Sequence, residues 1–312
     1  MPSPHPNSSS VAASPAVNHN SQGATRVAYS VGDITFGIRS SREMRLALEP
    51  GLLPFGIDSI SCDVELSSEW ALRIQEPLGA PIFQSGGLWT AYRESAGTSL
   101  YFQTEHLGAS PYKKCWFNDD VTEGRVWLFR RYFDADLPIY PLEYPLDELL
   151  MIHRLAQGDG AEIHASGVVS SDGQGRLFVG HSGAGKSTAS RLWMQQPGFR
   201  VLSDDRIILR LPNGSPVMYG TPWHGDAGLA EQASSKLHRI FLLDQAPRNE
   251  IVPLSPARAA AELFSRTFVP HHHGDGLART LEFLEKLTAI VPVAILRCTA
   301  DARAIQEVLR AA

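Results

Sequence analysis

A glycine-rich octapeptide in the middle of the chain has the residue types of a phosphate-binding loop. Gly180-His-Ser-Gly-Ala-Gly-Lys186-Ser187 follows the strand-like run Arg176-Leu-Phe-Val and leads into a helix-like run that begins at Ser187. This order predicts a strand, a loop and a helix, which is the context that a P-loop needs. Backbone N–H groups of such a loop, together with the helix N-terminus, bind phosphate oxygens. The motif therefore predicts binding of a nucleoside triphosphate, because a chance glycine-rich turn does not account for the full pattern.

The residues of the loop have separate roles in binding the nucleotide. Lys186 would neutralise the β- and γ-phosphates, and the Ser187 hydroxyl would coordinate Mg²⁺. The other predicted contacts with the nucleotide come from Gly180, Ser182, Gly183, Ala184, Gly185 and Thr188. ATP and Mg²⁺ are the cofactors that this motif predicts.

Two adjacent carboxylates follow the loop at a sequence separation that suits a P-loop enzyme. Asp204 comes eighteen residues after Lys186 and Asp205 follows it directly, between the apolar runs Val201-Leu202 and Ile207-Ile-Leu. In P-loop enzymes a carboxylate at this point holds Mg²⁺, directly or through water, and a second carboxylate could accept a proton from an attacking hydroxyl. The alternative interpretation is an exposed Asp-Asp turn, which the upstream P-loop makes less attractive.

Three histidine-containing segments are open to more than one interpretation. His164 lies on a short apolar run before the P-loop strand, and by residue type alone it could be structural or could support the site. The segment 219–225 contains turn residues, an indole and an imidazole, so it predicts a loop over the nucleotide or the acceptor, or a rigid connection. The segment 271–273 predicts an exposed polar loop, because three adjacent histidines cannot all face one metal ion.

The rest of the chain falls into three parts. Residues 1–25 are rich in Ser, Pro, Asn and Ala, which predicts a disordered tail. Residues 26–145 contain short runs of β-branched and aromatic residues, which predict an antiparallel, β-rich N-terminal domain of unknown role. In residues 146–312 short apolar runs alternate with helical patterns, the first of which ends at Gly158, so an α/β domain is expected from about residue 145.

Composition excludes several classes of function and location. The net charge of −5, with 28 basic residues, gives no sequence-wide attraction for nucleic acid or for an anionic membrane. Cys62, Cys115 and Cys298 are far apart, which predicts neither a disulfide framework nor a cysteine zinc site. No signal peptide or membrane span is evident, so a cytoplasmic protein is expected.

The order of these motifs resembles the C-terminal catalytic domain of the HPr kinase/phosphorylase family. The resemblance rests on Ile163-His164-Ala-Ser-Gly-Val-Val, on the P-loop and on the segment 200–206, with nearly the gaps that the family has. It covers residues 146–210. It implies an α/β P-loop kinase domain of the HPr kinase/PEP carboxykinase type, here preceded by the smaller β-rich N-terminal domain, and an ATP-dependent serine kinase activity.

The resemblance also implies roles for individual residues. Asp204 would be the base on the acceptor serine, Asp205 would assist metal binding, and Lys186 and Ser187 would hold the phosphates and Mg²⁺. His164 would support the reaction close to the phosphates. The hexameric assembly of the family makes a homo-oligomer one option for this chain.

The chain departs from the family in two places. A downstream Leu-Asn-x-Arg-Thr-type segment is missing, with Arg266 as its nearest substitute, and the N-terminal part does not match the usual regulatory domain. The chain looks more like stand-alone relatives with a Thr-Pro-Trp-His loop, so the expected acceptor is a serine of a protein or peptide. The alternatives are a nucleotide-dependent switch without phosphotransfer, or a small-molecule kinase with a basic cluster formed by Arg206, Arg239 and Arg266.

Overall fold

The computed structural model of the chain describes residues 25–181, 185–225, 228–299 and 301–310. The predicted disordered tail lies outside these residues, except for Thr25. The predicted nucleotide contacts Ser182, Gly183 and Ala184 also lie outside them.

The first half of the chain forms one eight-stranded sheet. Its strands are β1 (Arg26–Val31), β2 (Ile34–Ser40), β3 (Val64–Ala71), β4 (Phe83–Gln84), β5 (Trp89–Glu94), β6 (Gly97–Thr104), β7 (Gly108–Asn118) and β8 (Glu123–Phe129). The order across the sheet is β1-β2-β3-β8-β7-β6-β5-β4. The β-rich character of this half is therefore confirmed.

The prediction that this sheet is antiparallel was wrong in part. β3 pairs in parallel with both β2 and β8, whereas the other neighbours are antiparallel. The hairpin of β1 and β2 has the turn that short hairpins favour, because Gly32 and Asp33 both have positive φ, as a two-residue type I′ turn requires. Parallel pairs instead depend on long connections, which carry no short sequence signal.

The second half forms a nine-stranded mixed sheet. Its strands are β9 (Ala161–Ser170), β10 (Gly175–Val179), β11 (Phe199–Ser203), β12 (Arg206–Arg210), β13 (Val217–Gly220), β14 (Ser234–Gln245), β15 (Glu250–Pro253), β16 (Thr267–Phe268) and β17 (Val293–Cys298). β14 is parallel to β10 and β17, and β9 pairs antiparallel with β10, β11, β12 and β16. The apolar residues around Ile163 and Val168 lie in one continuous strand, β9.

The described residues of the second half contain five α-helices. They are α1 (Leu146–Arg154), α2 (Lys186–Met194), α3 (Pro256–Phe264), α4 (Gly274–Ile290) and α5 (Ala302–Arg310). Buried side chains of α3 and α4 pack on one face of the sheet, and those of α2 and α5 pack on the other. This arrangement of helices on both faces agrees with the expected α/β character. Its assignment to the P-loop kinase fold stays a prediction.

Helix α1 joins the two halves. Its Leu146, Leu150 and Met151 are fully buried and belong to the core of the first sheet, together with Ile208 and Tyr219 from the second sheet. The helix continues into a π-helical turn that ends near Gly158, whose φ is +106°. No helix among the described residues has the length and apolar character that crossing a membrane requires.

Candidate functional site

The described residues on both sides of the glycine-rich loop have the predicted strand and helix. Strand β10 lies between β9 and β14 and ends at Val179, and helix α2 begins at Lys186. Gly185 precedes the helix with a φ of +97°, a conformation that glycine adopts without steric cost. Ser187 and Thr188 lie half-buried in the first turn of α2. Backbone N–H groups at this helix end therefore have the orientation that suits an anion.

The Lys186 ammonium group is turned back towards the loop. Its Nζ donates hydrogen bonds to the carbonyl oxygens of Gly180 (2.9 Å) and His181 (3.0 Å), and the residue is 6% exposed. Burial lowers the pKa of Lys186, and the nearby carboxylates of Asp205 and Asp204 oppose that effect. The structure thus brings the predicted phosphate-binding cation close to both predicted carboxylates.

Asp204 follows strand β11 and is almost completely buried, with 1% of its surface exposed. Its Oδ1 accepts hydrogen bonds from the backbone N–H groups of Gly225 (3.2 Å) and Leu229 (3.3 Å). These two donors fix the direction of the carboxylate. The alternative of an exposed Asp-Asp turn is therefore wrong for Asp204.

Asp205 contacts the histidine that the sequence singled out. His164 Nδ1 lies 3.2 Å from Asp205 Oδ1 and 3.2 Å from the Asp205 carbonyl oxygen. Burial lowers the pKa of His164, and the Lys186 charge lowers it further while Asp205 opposes both effects. The surroundings therefore disfavour the charged form of His164. It lies on β9 opposite Arg206 on β12, so strand pairing sets this contact.

A buried ionic network around Arg206 was not found from the sequence. The Arg206 guanidinium contacts Asp205 Oδ2 and Glu148 Oε1, and its Nε lies 4.0 Å from Glu162 Oε1. It also lies 4.9 Å from the ring centroid of Phe268. Burial raises the pKa of Glu162 well above its usual range, and the neighbouring Glu148 adds to this effect. Burial in this network therefore disfavours the charged form of Glu162, and Arg206 contacts the Asp205 oxygen that His164 does not.

Two buried serines connect the P-loop helix to the histidine strand. Ser166 Oγ and Ser190 Oγ are 2.7 Å apart, and Ser190 also donates to the Lys186 carbonyl oxygen at 3.0 Å. Both serines are fully buried. Because hydrogen bonds between buried groups have defined geometry, this contact fixes the start of α2 relative to β9.

The segment 219–225 lies against the carboxylate pair. Thr221 Oγ1 donates to the Arg206 carbonyl oxygen at 2.8 Å. A Cβ atom added at Gly225 would be 3.1 Å from both Asp204 Oδ2 and Asp205 Cβ, so the backbone approaches the carboxylates as closely as a glycine permits. The segment therefore forms one wall of the candidate site.

The prediction of an exposed polar loop at residues 271–273 was wrong for two of the three histidines. His272 is half-buried, with its Nε2 3.2 Å from His153 Nε2 and its ring near that of Phe83. His273 Nδ1 accepts a hydrogen bond from Gly276 N at 2.9 Å at the start of α4. Both residues have structural contacts. Among the described residues, no group of three or more His, Cys, Asp or Glu side chains could hold a metal ion.

The three arginines considered for an anion-binding cluster have other contacts. Arg206 is engaged by carboxylates, as described above, and Arg266 Nη1 lies 2.9 Å from Glu262 Oε2. Arg239 lies opposite Arg176 in the pairing of β14 with β10. Arg206 and Arg266 are thus already paired with carboxylates, and the small-molecule kinase stays an untested alternative.

Comparison with known proteins identifies one family. The sequence model of the family described as "ScmC: SynChlorMet cassette protein ScmC" matches residues 144–309, which contain the P-loop, His164 and both aspartates. No curated protein matches the chain. Because the family model covers more than half of the chain, this protein belongs to the ScmC family of SynChlorMet cassette proteins.

Proposed function

We propose that the chain is an ATP-dependent kinase that transfers a γ-phosphoryl group to a serine hydroxyl of a protein or peptide acceptor. The observation that carries this proposal is the convergence of a buried Lys186 with the Asp204-Asp205 pair at the end of a strand–loop–helix unit. Phosphoryl transfer requires mainly positioning and charge stabilisation, and a lysine, a helix N-terminus and two carboxylates are suited to both.

The residues present fit ATP and Mg²⁺. Lys186 and the first turn of α2 would bind the phosphates, and Ser187 and Asp205 offer the hard oxygen ligands that Mg²⁺ prefers. Two such ligands suffice, because Mg²⁺ in nucleotide sites keeps several waters and is also bound by the phosphates. The bound ion would neutralise the charge that develops on the transferred group.

The remaining steps belong to the chain's own side chains. Asp204, held by two backbone N–H groups, would orient the serine hydroxyl and accept its proton. His164 and Arg206 contact opposite oxygens of Asp205 and would keep that carboxylate in one orientation. His164 is thus a positioning residue in this mechanism.

The test is intact-mass spectrometry of candidate serine peptides and partner proteins incubated with Mg-ATP. Wild-type protein should add one phosphate to an acceptor, and Lys186→Ala should lower the rate at least a hundredfold while its Tm stays close to that of wild type. Lys286→Ala is the matched control, since Lys286 lies on the exposed side of α4 and pairs with Glu282. Equal rates for Lys186→Ala and wild type would exclude the proposal.

The second candidate function is a nucleotide-dependent switch without an acceptor. The paired carboxylates favour the kinase, because a switch needs only one carboxylate for its metal ion. Mg-ATP binding measured by calorimetry, together with unchanged masses for every acceptor tested, would instead support the switch.

A further inference from the structure

A narrow apolar slot lies beside the start of the P-loop helix. Helices α2 and α5 and the strands β10, β14 and β17 form its walls, and its volume is about 40 Å³. The lining residues that matter here are Thr188, Leu192, Gln245, Cys298, Ala304 and Ile305. This cavity is called the α2–α5 slot below.

The α2–α5 slot lies at the edge of the sheet where the P-loop also lies. β10, β14 and β17 are neighbouring parallel strands, so their C-terminal ends lie on the same edge. Gly180 follows directly after β10, and Gln245 and Cys298 are paired with each other at the ends of β14 and β17. In open α/β sheets, ligands bind in the crevice outside the carboxyl ends of the strands. The slot therefore has a position in the sheet that suits a ligand site.

The slot is also adjacent to the proposed phosphate site. Gly185 and Thr188 line the slot, and both belong to the end of the loop and the first helical turn that would bind the phosphates. A molecule whose phosphates lie at the N-terminus of α2 therefore has the slot next to it. The part of a nucleotide that lies beyond the phosphates can reach the slot without leaving the protein surface.

The walls of the slot suit a flat aromatic ring. Leu192, Leu296 and Ile305 provide apolar surface, and none of the described residues that line the slot carries a charge. A ribose or a phosphate would lose its hydrogen bonds to water on such surface, whereas the face of a purine ring would lose few. The small volume encloses the edge of a ring and leaves the rest of the ring at the mouth of the slot.

Adenine matches these walls better than guanine does. Gln245 is exposed and also lines the slot, and its carboxamide can donate to and accept from the edge of adenine at once. Guanine carries a carbonyl oxygen and two kinds of N–H donor on the edge where adenine carries one amino group and one acceptor nitrogen. Apolar walls leave the additional polar group of guanine without a partner, which costs free energy.

We propose that the α2–α5 slot binds the adenine ring of the nucleotide, with the Gln245 carboxamide hydrogen-bonded to the edge of the ring. Apolar side chains from α2 and α5 would contact the faces of the ring. The inference rests on the nucleotide binding proposed above and deepens it, since the slot would distinguish ATP from GTP and from a bare phosphate chain.

The first test compares the Kd values of Mg-ATP, Mg-GTP and magnesium tripolyphosphate, measured by calorimetry. Tripolyphosphate has the phosphates of ATP without the ribose and the base, and GTP has the same ribose with another base. We expect Mg-ATP to bind about tenfold more tightly than tripolyphosphate and about fivefold more tightly than Mg-GTP.

Two variants test the walls of the slot in the same assay. Ala304→Phe fills the slot from α5 and should bring the Kd of Mg-ATP to within about twofold of that of tripolyphosphate. Gln245→Ala should reduce the preference for ATP over GTP to about twofold or less. The control Ala278→Phe places the same ring on the exposed side of α4 and should change none of the three Kd values. An unchanged Kd for tripolyphosphate shows that Ala304→Phe is folded, and Gln245→Ala tests the slot from an exposed position.

The thiol of Cys298 reports directly whether the slot is occupied. Cys298 and Cys62 are both half-buried, whereas Cys115 is buried. Burial raises the pKa of the Cys298 thiol, so alkylation by N-ethylmaleimide is followed at pH 8.5 by peptide mass spectrometry. Saturating Mg-ATP should slow the alkylation of Cys298 about fivefold and leave that of Cys62 unchanged. Tripolyphosphate should change the rate at Cys298 by less than about twofold.

The outcomes separate this inference from the kinase proposal. Equal Kd values for ATP, GTP and tripolyphosphate, or equal protection of Cys298 by ATP and tripolyphosphate, would overturn the slot assignment and leave the kinase proposal intact. Selective ATP binding that Ala304→Phe abolishes, without phosphate transfer to any acceptor, would support the slot and defeat the kinase proposal. Absence of binding for all three ligands would overturn both.

Discussion

Replacement of Asp147 by asparagine should stabilise the protein at high pH and have little effect at low pH. Asp147 is 3% exposed, and burial raises the pKa of its carboxyl to about 7. The neighbouring Glu148 and Glu49 raise it further, while the Glu148 backbone N–H, 2.7 Å from Oδ1, and the Trp223 indole favour the charged form. The balance leaves a buried acid that resists ionisation near neutral pH.

The magnitude follows from the difference between the folded and unfolded states. The pKa of Asp147 is about 7 in the folded state and about 3.8 in an exposed aspartate, and a tenfold change in proton affinity corresponds to about 1.4 kcal/mol. Above pH 7 the penalty for ionising Asp147 therefore approaches about 4 kcal/mol as an upper limit. Relaxation of the structure around the ionised carboxylate lowers this penalty, so we expect Asp147→Asn to raise the unfolding free energy by about 2 to 4 kcal/mol above pH 7.

Proton linkage determines whether the unfolding free energy rises or falls with pH because of Asp147. The folded state holds the Asp147 proton more tightly than the unfolded state. The favourable contribution of the protonated carboxyl to the unfolding free energy is therefore fully present below about pH 4. It is lost as the pH rises to about 7, and it stays lost at higher pH. Asp147→Asn cannot ionise, so its stability relative to wild type should increase across this pH range.

Thermal unfolding of wild type and Asp147→Asn at several pH values between 4 and 8.5 measures this difference. The Tm of the variant should exceed that of wild type by several degrees at pH 8, and the two should be similar at pH 4.5. Asp63→Asn is a suitable control, because hydrogen bonds from Thr35 outweigh burial and lower the pKa of Asp63. A Tm difference between Asp147→Asn and wild type that does not change with pH would refute the reasoning.

Two further predictions concern the walls of the site. Gly225→Ala should lower the rate of phosphoryl transfer at least tenfold, because the added Cβ would lie 3.1 Å from Asp204 Oδ2. The control in the same kinetic assay is Gly274→Ala, because the space around its added Cβ is open. Glu162→Gln should cost less than about 1 kcal/mol of unfolding free energy, because burial already disfavours the charged form of Glu162. Glu148→Gln removes a buried partner of a guanidinium and should cost about 2 to 3 kcal/mol. Urea unfolding at pH 7 compares the two, and a larger cost for Glu162→Gln would contradict this account.

The local parts of the site could be predicted from the sequence. The strand before Gly180, the helix that starts at Lys186 and the strand ends around Asp204 follow from short patterns of apolar residues and glycine. Even the contact of His164 with Asp205 is the result of pairing between neighbouring strands. These features depend on residues that are close in sequence or in one sheet.

The remaining contacts join distant parts of the chain and leave no local pattern. Glu148 reaches Arg206 across 58 residues, because α1 packs between the two sheets. Glu49, from the first half of the chain, lines one pocket together with Arg206 and His224 from the second half. Hydrophobic periodicity predicts which face of an element is buried but not which partner covers it, so neither the ionic network nor the pocket could be predicted.

The position of α1 has a consequence for dissecting the protein. The family match begins at residue 144, which suggests cutting the chain there to obtain the conserved part alone. Such a fragment would expose Leu146, Leu150 and Met151 to water and would lose Glu49, which lines a pocket with Arg206. An excised C-terminal fragment should therefore aggregate, so production and crystallisation trials need both halves on one polypeptide.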